Sequence, residues 1–326
     1  MAEECIHAVH LIETTNRHQP TFATMQILDG AAVSAHIKQS LRAEGEAIKT
    51  TLGRAPHLAA VLVGDDPASQ VYVGAKVRTC GELGFESTLI RPGAEISQEE
   101  LLCIIGELNE DDAIDGILVQ LPLPKHISEK AVISAIHPDK DVDGFHPLSQ
   151  GAMVLGSPTF LPATPYGIQI MLEHYGIDVA GKHCVVIGRS NIVGRPMSIL
   201  LSGNGPGGNA TVTLAHSRTQ DLPALCRTAD VLVAAIGRPR FLTADMVKEG
   251  AIVIDVGINR VEDAMRKSGH RLVGDVDYDN VASKCSWITP VPKGVGPMTI
   301  VGLMKNTLRA AQLRLDRVKR EAAVTV

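Results

Sequence analysis

The sequence predicts an α/β protein with two α/β domains around a cleft, the second a Rossmann-type doubly wound parallel sheet. Three observations carry that expectation. Short runs of Val, Ile, Leu and Ala alternate with helix-length segments along most of the chain, as parallel strands covered on both faces require. Successive runs end at Gly188, Gly237 and Gly257, which puts glycine at one carboxyl edge of a sheet. The third is size: 326 residues, 45% hydrophobic and only 3% aromatic, suffice for two cores of aliphatic side chains.

Residues 1–24 carry Glu3, Glu4 and Glu13 and no sustained apolar block, unlike a secretory signal or an Arg-rich transit peptide. They are expected to form a disordered extension, and a first domain to span 25–165. A helix is expected over 31–49, where Val33, Ile37 and Leu41 share one side. Residues 58–63 form a buried strand closed by Gly64-Asp65-Asp66-Pro67, and Ser69 is the expected cap of a helix through Leu83. A short strand follows at 86–90. Next comes a helix at 97–109, with Glu100 three residues after its cap. Residues 116–121 make another buried strand, ended by Pro122 and Pro124. The hinge is expected at 161–165, leading to a helix over 166–175 and a second domain over 166–299. A terminal helix at 300–320 should pack back on the first domain.

The most informative segment is CVVIGRSNIVGRP at 184–196. A buried strand ends at Gly188 and a helix should open near Val193–Gly194, with Ser190 where the dinucleotide fingerprint has its second glycine. A pyrophosphate would sit at that helix N-terminus, where free amides favour negative charge. The next strand, at 210–215, runs into His216, Ser217 and Arg218. An NAD-selective site places a carboxylate there for the ribose 2′-hydroxyl. A hydroxyl and a cation suit a 2′-phosphate instead, so the expected cofactor is NADP. The Gly- and Pro-rich stretch at 202–209 reads as a surface insertion.

Composition narrows the function. A net charge of −5 lacks the basic footprint of a nucleic-acid binder. No apolar stretch approaches the ~20 residues that span a bilayer. Six cysteines without CxxC spacing suit buried thiols in a reducing, cytoplasmic setting. Twelve histidines show no paired ligand spacing, so no metal is implied.

Polar groups also cluster at strand ends of the first domain. Ser69 precedes Tyr72 and Lys76, the latter two being i, i+4 neighbours on one helix face. Gln120 ends a strand, and Lys140-Asp141-Val142-Asp143-Gly144 forms an acidic turn. Each has a bland alternative: a solvated Tyr–Lys face, a strand-end amide, and aspartates that merely make a turn. If the edges face the second domain, a lysine, an amide, a phenol and a carboxylate converge beside the nicotinamide.

Seven motifs, YVGAK (72–76), VQLPLP (119–124), KDVDGFH (140–146), LPATP (161–165), GRSNIVGRP (188–196), IDVGIN (254–259) and TPVPKGVGPMT (289–299), occur in order. Together they resemble the bifunctional methylenetetrahydrofolate dehydrogenase/cyclohydrolase family. The resemblance runs from about Met25 to Arg320. It implies folate on the first domain, NADP on the second and a homodimer joined through the dinucleotide domain. It implies Tyr72, Lys76 and Gln120 as catalytic residues. Tyr72, Ser69, Asp143, Gly296 and Pro297 would bind substrate, while Gly188, Arg189, Ser190, Ser217, Arg218 and Ile258 would bind cofactor.

The implied reaction is oxidation of the methylene bridge to a methenyl bridge, followed by hydrolysis to 10-formyltetrahydrofolate. Hydrolysis needs a proton relay, and a free lysine has a pKa near ~10.4. Making Lys76 a neutral-pH base therefore needs about 4 kcal/mol of preference for its neutral form. Two departures stand out. Lys293 replaces the first glycine of the family's proline-glycine-glycine loop, and the 202–209 loop is long enough to alter contacts near the ribose phosphate. A dehydrogenase without cyclohydrolase activity, an NADP-dependent dehydrogenase of another small substrate, and a non-catalytic dinucleotide-binding protein remain open alternatives.

Overall fold

A computed structural model describes residues 25–266 and 269–324; the expected 1–24 extension lies outside the described residues. The chain opens with β1 (Gln26–Ile27), α1 (Gly30–Leu52), β2 (His57–Val61), α2 (Pro67–Leu83) and β3 (Glu86–Ile90). It continues through α3 (Gln98–Glu110), β4 (Gly116–Val119), α4 (Glu129–Ala135), α5 (Pro147–Val154) and α6 (Ala163–His174). Then come β5 (His183–Ile187), α7 (Gly194–Ser202), β6 (Thr211–Ala215), α8 (Leu222–Arg227), β7 (Val231–Ala234) and β8 (Ala251–Asp255). A hairpin of β9 (Asn259–Glu262) and β10 (His270–Val273) precedes α9 (Tyr278–Val281), β11 (Cys285–Ile288) and α10 (Val295–Val324).

Local chemistry sets the helix starts. The Asp29 carboxylate accepts the amides of Ala31 and Ala32 and begins α1. In α3, Ser97 and Glu100 form the reciprocal capping box. For α2 the cap is Asp66, not Ser69. Its carboxylate accepts the Ser69 amide at 2.7 Å, and Pro67 occupies the first turn, where a missing N–H costs nothing. Ser69 is thereby drawn inside the first turn and buried.

The strands form two parallel sheets. One has the order β3-β2-β4, the other β1-β11-β8-β7-β5-β6. In the larger sheet β5 has β6 on one side and β7 on the other, so chain order reverses beside it. Ligands of such sheets bind at the carboxyl end of that strand. β2, β4, β5, β7 and β8 are almost wholly buried, which explains their unbroken aliphatic character.

Two differences from the sequence expectation concern how the lobes join. The strand Gln26–Ile27 pairs with β11, so the first described residues lie at the edge of the second sheet. Helix α10 starts at Val295, not 300, and serves both cores. Val295, Met298 and Val301 pack with Ile168 and Met171, whereas Leu303, Met304 and Leu308 pack with Leu41 and Leu58. Helix α1 does the same, with Val33 in one core and Leu41 and Ile48 in the other. Each aliphatic side chain buried in this way contributes about 1.5–3 kcal/mol. A hydrophobic pattern marks a helix as buried but does not say which lobe buries it.

Candidate active site

Three polar groups of the first lobe, Lys76, Gln120 and Asp143, come near one another. Helix α2 carries Tyr72 and Lys76 one turn apart toward the end of β4, where the Gln120 amide nitrogen continues the ladder to the Val61 carbonyl at 2.9 Å. The Lys76 Nζ donates to Gln120 Oε1 at 3.0 Å, and Gln120 Nε2 donates to the Leu121 carbonyl at 2.7 Å. That second bond fixes the amide orientation, so the lysine meets an oxygen. Lys76 is only 7% exposed. Burial lowers its pKa from the ordinary lysine value, opposed by the nearby Asp143 charge. Tyr72 is half-buried and its phenol is raised by burial. Lys76 bonds to Gln120 rather than to the phenol.

The acidic turn divides its labour. Asp141 accepts the amides of Phe145 and His146 at 3.1 and 2.8 Å and the Ser149 hydroxyl at 2.7 Å. It is the turn former. Asp143 makes no hydrogen bond among the described residues, and its pKa is raised to about 6 by burial, with Lys76 pulling it down and Asp141 pushing it up. Lys140 is structural too, its ammonium donating to the carbonyls of Leu108 and Asp111. Behind the turn, Asn306 Nδ2 donates to the carbonyls of Val142 and Leu161, both at 2.8 Å. Sequence reading missed Asn306, because an amide inside an apolar helix gives no hint of which carbonyls it reaches.

The dinucleotide turn is held by close backbone packing. Gly188 has φ 118°, and a Cβ there would strike the Ala235 carbonyl oxygen. A Cβ on Gly194 would strike the Gly188 carbonyl, so helix and strand tip touch backbone to backbone. Ser190 Oγ accepts the amides of Val193 and Gly194 at 3.2 and 3.3 Å. Two of the amides at the helix N-terminus are therefore taken by a side chain of the turn itself. Among the described residues, the amides of Ser190, Asn191 and Ile192 have no acceptor. The adjacent tip of β6 holds His216 and Thr219 in a closed turn that leaves Ser217 and Arg218 exposed. The 202–209 loop lies at the opposite end of α7, leading into the start of β6. It is remote from this tip and cannot touch a ribose phosphate there.

A further network shapes the other tips. Buried Asp275 accepts the amides of Ile236 and Gly237 through one oxygen, and the Arg238 amide and Asn259 side chain through the other. Buried Asp255 accepts the amides of Gly257, Asp275 and Val276. Burial pushes its pKa up to about 7, against those amides. This double clamp ties the Gly237 and Gly257 loops together. The IDVGIN motif drew attention to its glycine, not to the acid two residues before it. Next to the clamp, a methyl on Gly296 would lie 3.6 Å from Ile258 Cδ1, and Gly296, Pro297 and Ile258 line one depression.

Between the lobes runs a groove of about 790 Å³, bounded by Leu121, Pro122 and Phe145 on one side and Ser190, Asn191 and Arg195 on the other. The fold and this groove define a two-lobed α/β protein of the dinucleotide-binding class, and Leu121 of the lining also accepts the side-chain amide of Gln120. Profiles for the tetrahydrofolate dehydrogenase/cyclohydrolase catalytic domain and its NAD(P)-binding domain match residues 28–143 and 162–315. The chain belongs to the tetrahydrofolate dehydrogenase/cyclohydrolase family.

It is 60% identical to the bifunctional protein FolD of Cytophaga hutchinsonii over 89% of this chain and 100% of that one. Identity to the Flavobacterium johnsoniae protein of the same name is 58%, over 90% and 100%. Among solved structures, it is similar to the bifunctional methylenetetrahydrofolate dehydrogenase/cyclohydrolase FolD of Campylobacter jejuni. Identity there is 48% with a TM-score of 0.84, covering 89% of this chain and 100% of that one. It is also similar to the Trypanosoma brucei dehydrogenase-cyclohydrolase complexed with NADP and an inhibitor. That match is 36% identical with a TM-score of 0.84, covering 88% and 97%.

Proposed function

We propose that this protein oxidises 5,10-methylenetetrahydrofolate to the methenyl form with NADP and hydrolyses that product to 10-formyltetrahydrofolate. The observation that carries it is the buried Lys76–Gln120 pair beside an unbonded Asp143, in a chain whose family, and whose similar solved structure from Campylobacter jejuni, carry both activities in their names.

Asp143 orients the substrate by accepting hydrogen bonds from the pterin amino group and ring N–H, and Tyr72 offers its ring as a stacking face. Bound NADP supplies the hydride acceptor. The amides of Ser190 to Ile192 hold its pyrophosphate, Ser217 and Arg218 its 2′-phosphate, and Gly188, Arg189 and Ile258 shape its path. Lys76 serves the hydrolytic step. Burial and a neutral amide partner favour its uncharged amine, which takes a proton from the attacking water. Gln120 accepts from Lys76 without neutralising it, so the amine stays tunable. Gly296 and Pro297 close the folate side.

The same reading includes a homodimer joined through the dinucleotide lobe, supported by Leu272 and Met265, which stand exposed on or beside the β9–β10 hairpin. It also includes a cytoplasmic setting, in keeping with the free cysteines found among the described residues. No helix among the described residues is long and apolar enough to cross a membrane.

The deciding experiment follows NADPH and methenyl absorbance together with purified protein and methylenetetrahydrofolate. NADPH should appear, and methenyl product should accumulate in Lys76→Met but not in the wild type. No NADPH formation refutes the dehydrogenase; equal methenyl decay in both proteins removes Lys76 from hydrolysis.

A further inference from the structure

A second cavity, of about 640 Å³, shares no lining residue with the groove between the lobes. It is enclosed by α1, by the segment 159–166 that joins the lobes, and by α10. Its floor is apolar, with Ile48 from α1 and Leu308 and Leu315 from α10 all buried. Its rim is charged. Lys305, Arg309 and Lys319 line it, and at i, i+4 and i+14 they share one face of α10. Glu44 is the one acid of the lining, so three cations face a single carboxylate in a chain of net charge −5. Asp316 shares that face of the helix but lies outside the lining, where it accepts the Gln312 amide at 2.8 Å.

Helix α10 treats its basic residues in two ways. Arg314 and Arg317 pair with Asp112 and Asp139. The three cations of the cavity make no ion pair among the described residues, and Arg309 makes no hydrogen bond among them either. The Arg309 guanidinium lies 5.8 Å from the centre of the Phe160 ring, and its Nε is buried without an acceptor. Buried polar atoms are nearly always bonded, so an orphan in a cavity wall points to an acceptor that the chain does not supply. A guanidinium laid on an aromatic face keeps its N–H edge for an anion. The Tyr166 phenol stands in the same cavity. Burial raises its pKa, Arg309 lowers it, and Glu173 and Glu44 push it up.

We propose that this cavity binds a small amphipathic anion, a flat apolar body carrying one phosphate, at a site separate from those for folate and NADP. The volume falls within the range of about 300–1,000 Å³ usual for small-molecule sites, and the apolar floor accepts a ring. Tyr166 offers the ring an aromatic neighbour. Arg309 and Lys305 hold the phosphate, the guanidinium through two parallel N–H bonds. Lys319, fully exposed to solvent, adds an attraction that salt screens. Three cations against one acid match the charge of about −1.5 to −2 on a phosphate monoester, not the single charge of a carboxylate.

The test is calorimetric titration of the full chain with 1-naphthyl phosphate, with NADP present at saturation so that the dinucleotide turn is occupied. Inorganic phosphate and 1-naphthol are the controls, and the probe should bind at least about tenfold more tightly than either, since each control lacks one half of the contacts. Arg309→Gln should weaken the probe about tenfold, as for a lost hydrogen bond to a charged group. Glu44→Gln should tighten it, by up to about threefold, because it removes the one repelling carboxylate of the lining. The opposite signs separate a lost contact from a folding defect, which would weaken binding in both variants. Absence of probe binding beside NADP overturns the site. Equal affinity for inorganic phosphate, an unchanged affinity in Arg309→Gln, or weakening by both substitutions overturns it as well.

Discussion

Replacing Gln120 by glutamate tests the proposed relay most sharply, because it changes charge with almost no change of shape. In the wild type the Lys76 Nζ lies 3.0 Å from a neutral amide oxygen. A carboxylate there would attract the ammonium. At that separation and an effective dielectric constant of about 20, Coulomb's law gives about 5–6 kcal/mol. Part of this is lost because the new carboxylate must itself be desolvated, leaving about 3 kcal/mol. Stabilisation of the ammonium by that amount lowers the fraction of neutral amine about a hundredfold at any pH near neutrality. Methenyl hydrolysis by Gln120→Glu should fall by about that factor at pH 7.5, and its pH profile should move to higher pH. The assay is loss of methenyl absorbance across pH 6 to 9, corrected for the uncatalysed reaction. Dehydrogenation, followed as NADPH, should fall far less, since it needs no base. A hydrolysis profile unmoved by the substitution would show that the Lys76 amine does not carry the proton.

Three more outcomes are expected. Burial places the folded-state pKa of Lys76 below that of the unfolded chain. The native state therefore binds fewer protons in that window, and stability rises with pH through it. Lys76→Met should raise stability by about 1–3 kcal/mol at pH 7, with the gain fading toward pH ~10.5, as denaturant titrations at several pH values would show. Asp143, raised to about 6 by burial, loses its charge as pH falls through that value. KM for folate should climb below pH 6 while KM for NADP stays level. Asp143→Asn should remove that slope and raise KM by about 10- to 100-fold, as for a lost charged hydrogen bond. Ser217→Asp with Arg218→Ala should cut kcat/KM for NADP by at least about tenfold and raise that for NAD, measured side by side.

Much of the scaffold was legible because parallel strands buried on both faces leave an unmistakable aliphatic run. β3 was expected at its observed limits, and the Ser97–Glu100 box is local chemistry that needs no tertiary contact. The α2 cap was misplaced by three residues, since Asp66 and Ser69 are both good caps and only the fold shows which begins the helix. The start of α10 was hidden by Gly296 and Pro297, which look like loop but are tolerated in a first turn. Strands β9 and β10 are mostly polar and were not expected. At the site, the family pattern names both Lys76 and Gln120, and their side chains bond at 3.0 Å. The division between Asp141 and Asp143 could not be read from two aspartates two residues apart, because only the turn's hydrogen bonds distinguish them. Lys293 poses the opposite case: its identity argued against a glycine-like backbone, yet the loop keeps φ at 86°.

The two helices that run through both aliphatic interiors have a consequence for how this molecule comes apart. A cut near residue 158 would strip each fragment of rods that its own sheet needs, because α1 lies before the cut and α10 after it. Neither half should fold alone, and melting should be a single cooperative event despite the bilobal outline. Breathing of the groove must then come from slight bending of these continuous rods, which keeps its amplitude small and the reactive groups in register.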